Sequence, residues 1–140
     1  MAHSVPSDSR YQLLLVDDCV AERDLYELVL EQEFRVLTAG RGDAGVAIAA
    51  KEHPDVVVLD VMMPGLDGWE TCTRLKSDPR TASIPVIMLT ATDDPNLVPR
   101  AQAVGAAAVL TKPCAAGHLR AAIETAIHER RGKAVWGNRH

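Results

Sequence analysis

A chain of 140 residues, 47% of them apolar, is long enough to bury one core and too apolar to be disordered over most of its length. Aromatic residues make up only 4%, so that core must be built from Val, Leu, Ile, Ala and Met. The formal net charge of −4 comes without a basic stripe, which argues against nucleic acid as a direct partner.

The opening Met1 to Ser9 is polar, contains Pro6 and reads as a tail ending near residue 10. Tyr11 to Val16 (YQLLLV) is a short apolar run ending in Asp17-Asp18, the pattern of a buried strand with a polar carboxyl end. Val20 to Glu33 has helical spacing, with Leu25, Leu28 and Val29 on one side. Phe34 to Ala39 reads as a second strand, and alanine-rich Ala44 to Lys51 as a helix stopped by His53-Pro54. Val56 to Leu59 (VVVL) is β-branched and continuous, as a central parallel strand is, and runs directly into Asp60.

Pro64 to Gly68 (PGLDG) is turn chemistry, and a helix follows over Trp69 to Lys76. Pro85 opens a fourth strand, Val86 to Thr90. A weaker helix lies between Asp94 and Val104, Ala107 to Thr111 is strand five, and Leu119, Ile123 and Ile127 with Ala122 and Ala126 mark a last helix over Ala115 to Glu129. Gly132 to His140 reads as a second tail, so one domain is expected over 11–130. Arg130, Arg131 and Lys133 form a basic run suited to a solvated helix end. Five alternating β and α units imply right-handed crossovers: an α/β fold with a doubly wound, five-stranded parallel sheet and five helices.

In such a sheet, ligands bind at the carboxyl ends of the strands. Those ends carry Asp17 and Asp18, then Asp60, Thr90 and Lys112: three carboxylates, a hydroxyl and an ammonium on one edge. Each close carboxylate pair costs up to roughly 4 kcal/mol at 4 Å and an effective dielectric of 20. A hard divalent cation relieves that repulsion, and Mg²⁺ suits a site with few carboxylates. Three negative charges against Mg²⁺ and Lys112 sum to about zero, leaving a site able to accept a phosphoryl group. A carboxylate nucleophile forming an aspartyl-phosphate is known chemistry, and the Thr90 hydroxyl is placed to donate to a phosphoryl oxygen.

The bland readings are an N-cap for Asp17-Asp18, a strand terminus for Thr90 and a solvated surface lysine for Lys112. Each holds alone and loses ground once all stand in register. Gly65 and Gly68 lack phosphate-loop spacing and read as turn residues, and Trp69 as a packed residue at a helix start. His53, His118 and His128 read as solvated.

The pattern LLLVDD, VVVLDVMMPGLDG, PVIMLTA and LTKP resembles the receiver domain of bacterial two-component response regulators, of the stand-alone, chemotaxis-regulator-like kind. The resemblance covers Tyr11 to Glu129. It implies the strand order 2-1-3-4-5 of flavodoxin-like folds and makes Asp60 the phosphoacceptor. By the same resemblance Asp18, Asp60 and the Met62 backbone carbonyl ligate Mg²⁺, Asp17 acts through water, and Thr90 and Lys112 bind the phosphoryl oxygens. A cis peptide between Lys112 and Pro113 is also implied. The implied role is a signalling switch, a phosphoacceptor that assists its own phosphorylation and dephosphorylation and is otherwise no enzyme. Its partners would be a histidine kinase or histidine phosphotransfer protein and a downstream protein target, with the chain a monomer or weak dimer.

Three positions depart from the family pattern. Val109 stands where an aromatic residue is usual, Cys114 where a large apolar residue is common, and Pro99 falls inside the expected fourth helix. A proline there belongs in the first turn, which leaves Asp93 to Val98 irregular. A pseudo-receiver that never handles phosphate is disfavoured by the complete residue set. A metal-dependent phosphatase is disfavoured because Met62 stands where its acid/base carboxylate would be.

Cys19, Cys72 and Cys114 match neither a zinc site nor a disulfide framework, and no apolar run approaches the length of a membrane span. A reduced cytoplasmic setting without membrane attachment is expected.

Overall fold

Strands and helices alternate along the chain: β1 Gln12–Val16, α1 Val20–Leu30, β2 Arg35–Ala39, α2 Gly42–Glu52, β3 Val56–Asp60, α3 Gly68–Ser77, β4 Val86–Thr90, α4 Leu97–Ala103, β5 Ala108–Thr111 and α5 Ala116–Trp136. The structure, a computed structural model, describes residues 10–63, 65–91 and 94–136, the stretch 131–136 as backbone. The tail expected over Met1 to Ser9, Pro64 of the turn, Asp93 of the expected loop and the side chains of Arg131 and Lys133 lie outside the described residues.

The five strands are parallel in the order β2-β1-β3-β4-β5. Side chains alternate across a strand, and the core divides accordingly. Leu14, Val16, Val57, Leu59 and Met88 face α2, α3 and α4, where Ala49, Cys72, Leu75 and Ala101 meet them. Leu13, Leu15, Val56, Val58, Ile87 and Leu89 face α1 and α5, where Leu30, Leu119, Ile123, Ala126 and Ile127 complete the opposite layer. Full burial of one such Leu or Ile side chain contributes about 1.5–3 kcal/mol, which is why β3 and β4 tolerate apolar residues on both faces.

Two expectations change. Leu25 and Leu28, expected on the apolar side of α1, are 58% and 60% exposed. The face of α1 that meets the sheet carries Glu22, Tyr26 and Leu30 at a spacing of four, with Leu30 fully buried and Tyr26 packed against the core. The helix has apolar residues on two sides, and periodicity alone selected the wrong one. The last helix also passes its expected end at Glu129, and its backbone stays helical through Gly132 to Trp136.

Other boundaries follow the local chemistry. His53 closes α2 in the left-handed region at φ 51°, and its N–H donates to the Ala49 carbonyl. Asp67 caps α3, its carboxylate accepting from Glu70 N–H at 2.9 Å. Pro99 is the third residue of α4, inside the first turn, where its missing N–H is tolerated. The helix starts at Leu97, so the irregular segment ends earlier than the expected Val98.

Candidate functional site

The carboxyl edge of the sheet gathers the candidate residues. Val16 pairs with Leu59, so Asp17 and Asp60 leave β1 and β3 side by side. Asp60 pairs with Leu89, and Thr90, the next residue of β4, pairs with Thr111. Lys112 follows, its N–H donating to the Thr90 carbonyl at 2.7 Å. The chain winds in opposite directions on either side of β1 and β3, a switch point that opens a crevice beyond the strand ends.

Gly68 makes the crevice floor possible. A Cβ there would lie 2.5 Å from both the Asp60 carbonyl oxygen and the Val61 Cα, so only glycine lets α3 start directly against the end of β3. Its N–H donates to the Val61 carbonyl at 2.9 Å. Gly65, at φ 71°, supplies the left-handed step of the preceding turn. Both glycines serve the backbone, as their spacing indicates.

One oxygen from each of Asp17, Asp18 and Asp60 lies within 4.8 Å of the other two. Asp17 and Asp60 are 1% and 5% exposed, and Asp18 faces solvent. Asp17 Oδ1 accepts from Cys19 N–H at 2.9 Å, while Oδ2 is buried with no hydrogen-bond partner among the described residues. An orphaned carboxylate oxygen is costly to bury. Beside two further carboxylates it forms an all-oxygen donor set of the kind a hard dication takes, so these residues fit Mg²⁺. Burial pushes the Asp17 carboxyl up to about 7; the Cys19 N–H and Lys112 oppose the rise, and the Asp60 and Glu22 charges add to it.

Asp60 Oδ1 accepts from Met62 N–H at 3.2 Å and lies 3.3 Å from Lys112 Nζ. The Met62 side chain is 65% exposed. Thr90 is fully buried at the end of β4. Lys112 Nζ also lies 3.9 Å from Asp17 Oδ2 and donates to Glu22 Oε1 at 2.5 Å. Burial works against the ammonium charge, but the Glu22 hydrogen bond and the Asp60 and Asp17 charges outweigh it and raise the Lys112 pKa. The peptide between Lys112 and Pro113 is cis.

The structure brings together Asp17, Asp18, Asp60, Thr90 and Lys112, and adds two residues the sequence did not single out. Glu22, in the first turn of α1, is a fourth carboxylate at the site. Arg23 Nη1 donates to the Asp17 carbonyl at 2.9 Å and props the end of β1. The available signal for Glu22 was its place four residues before Tyr26 and eight before Leu30, the stripe that α1 turns inward. His53, His118 and His128 are all exposed.

Among known proteins, the response regulator receiver domain family matches residues 13–124. Response regulator PleD of Caulobacter vibrioides is 44% identical over 103 residues, 73% of this chain but 23% of PleD. Protein PilH of Pseudomonas aeruginosa is 40% identical over 103 residues, 73% of this chain and 85% of PilH. Among solved structures, a response regulator receiver domain protein from Clostridium thermocellum superposes with a TM-score of 0.80 at 31% identity, covering 86% of this chain and 97% of that one. Chemotaxis protein CheY4 of Vibrio cholerae has the same TM-score at 28% identity, covering 84% and 99%. The chain therefore belongs to the response regulator receiver domain family, the phosphoaccepting modules of phosphorylation-dependent, two-component signalling.

Proposed function

We propose that this chain takes a phosphoryl group onto the Asp60 carboxylate, in a Mg²⁺-dependent transfer from a histidine kinase or histidine phosphotransfer protein, and thereby changes its affinity for a downstream protein. The observation that carries this reading is Asp60 at the end of the central strand, nearly buried, 3.3 Å from the Lys112 ammonium and clustered with Asp17 and Asp18. An Asp60 oxygen attacks phosphorus, a phosphorus–oxygen bond forms, the bond to the donor's imidazole nitrogen breaks, and the imidazole leaves with the electron pair. Lys112 and the Thr90 hydroxyl hold the phosphoryl oxygens. Asp17, Asp18, Asp60 and the Met62 carbonyl would hold Mg²⁺, which supplies neutralisation of phosphoryl charge when bound.

The functional unit of this proposal spans residues 11–130, works in the cytoplasm as a monomer or weak dimer and touches neither nucleic acid nor membrane. Among the described residues no helix is long and apolar enough to cross a membrane. Signalling runs to the downstream protein through a surface altered by Val109, Cys114 and Pro99.

Treatment with acetyl phosphate and Mg²⁺ should add the mass of one phosphoryl group, read by intact-mass spectrometry. Asp60→Asn or removal of Mg²⁺ should abolish the gain. Equal incorporation into Asp60→Asn would overturn the assignment.

A further inference from the structure

The Lys112 ammonium is nearer to Glu22 than to either aspartate. It lies 2.5 Å from Glu22 Oε1, against 3.3 Å from Asp60 Oδ1 and 3.9 Å from Asp17 Oδ2. Glu22 is not one of the three clustered carboxylates; it reaches in from the first turn of α1. The contact spans ninety residues of chain and is held because Tyr26 and Leu30, below Glu22 on the same helix face, are packed in the core. The two ends of the pair differ in surroundings, with the Lys112 side chain 14% exposed and that of Glu22 42%.

Resting on the phosphoacceptor reading above, we propose that Glu22 is a positioning residue that competes with the phosphoryl group for Lys112. A phosphoryl group on Asp60 brings about two negative charges into a buried edge, where the ammonium already lies 3.3 Å from Asp60 Oδ1. Glu22, partly in water, loses least when its ion pair is given up, because solvent replaces the lysine. Its carboxylate thus stabilises the resting arrangement more than the phosphorylated one, by drawing off the ammonium and by adding like charge. A group with such a differential interaction shifts the equilibrium between the two states. Glu22 sets how readily this receiver is loaded, and it does so without touching the reacting atoms.

Beryllofluoride, a phosphoryl mimic, tests this in the full chain at saturating Mg²⁺, with affinity read by calorimetry. Glu22→Gln, which removes the charge from a partly exposed side chain, should bind it about threefold to fivefold more tightly, the range of a partly solvated ion pair. Glu22→Asp, too short to reach Lys112, should behave like Glu22→Gln. Wild-type affinity in Glu22→Asp would show that the contact is immaterial and overturn the proposal. A lowered melting temperature in both variants with affinity unmoved would assign the pair to helix stability alone and also overturn it. Absence of binding by the wild-type chain would overturn the phosphoacceptor reading and this proposal with it. Wild-type binding left unchanged by Glu22→Gln overturns this proposal alone.

Discussion

At the scale of single residues, Asp17 carries the most consequential perturbation. Its carboxyl titrates near 7 in the fold against 3.8 when unperturbed, because burial strips its water and Oδ2 finds no donor. The folded chain therefore binds this proton more tightly than the unfolded chain. The resulting stability is fully present below about pH 4 and is lost as pH rises through about 7. Metal-free protein should melt at progressively lower temperature over that window, by a free energy on the order of a few kcal/mol. On the proposed ligand set Mg²⁺ would compete with that proton, so its affinity should climb with pH over the same range. Melting scans in chelator with Asp17→Asn are the check. That variant should flatten the pH dependence, and an unchanged slope would mean another group is responsible.

Among the elements, α4 and β5 are the ones through which the proposed phosphoryl signal is expected to leave the site. Helix α4 has only seven residues, no side-chain cap at Asn96 and Pro99 in its first turn, and is anchored by buried Leu97 and Ala101. Arg100 stacks over Trp69 with 4.3 Å to the ring centroid, a cation–π contact worth about 0.5–1 kcal/mol at an exposed position, and ties α4 to α3. Val109, by contrast, is half-buried and packed against the core face shared with α4. A valine has little area to exchange between inward and outward positions, and at about 25 cal/mol per Å² its differential burial is small beside an aromatic ring. Beryllofluoride with Mg²⁺ should therefore change amide exchange most within Thr90 to Arg100 and only modestly in β5. A stronger response along Ala108–Thr111 would transfer the switch to that strand.

For the whole molecule, the proposed Mg²⁺ site would link metal binding to the fold through the crowded carboxylates. Saturating Mg²⁺ should stabilise the fold by about 2.7 kcal/mol at a hundredfold excess over Kd and so raise the melting temperature by several degrees. Asp18→Asn should remove most of that shift while stabilising the metal-free chain by relieving repulsion; an intact Mg²⁺ shift would remove Asp18 from the ligand set. Much of this architecture is legible in local patterns. LLLV, VVVL and VIML are continuous apolar runs because parallel strands are buried on both faces, and polar residues interrupt them at the edge where the sheet meets solvent and ligand. Asp17, Asp18, Asp60 and Thr90 stand at or just beyond the end of such a run, and Lys112 follows the shorter strand AVLT, so their placement on one edge was readable for that reason. The orientation of α1 was not readable, because Leu25 and Leu28 compete with Tyr26 and Leu30 for the apolar face and only packing against β1 and α5 chooses between them. The extent of α5 past Glu129 was equally hidden, with no apolar stripe to carry the pattern onward. Periodicity therefore determined the layers, the strand ends and the residues that crowd there. The Glu22–Lys112 pair, the orphaned oxygen of Asp17 and the raised pKa of its carboxyl belong to the tertiary structure alone, because they depend on distances between segments that no local spacing encodes.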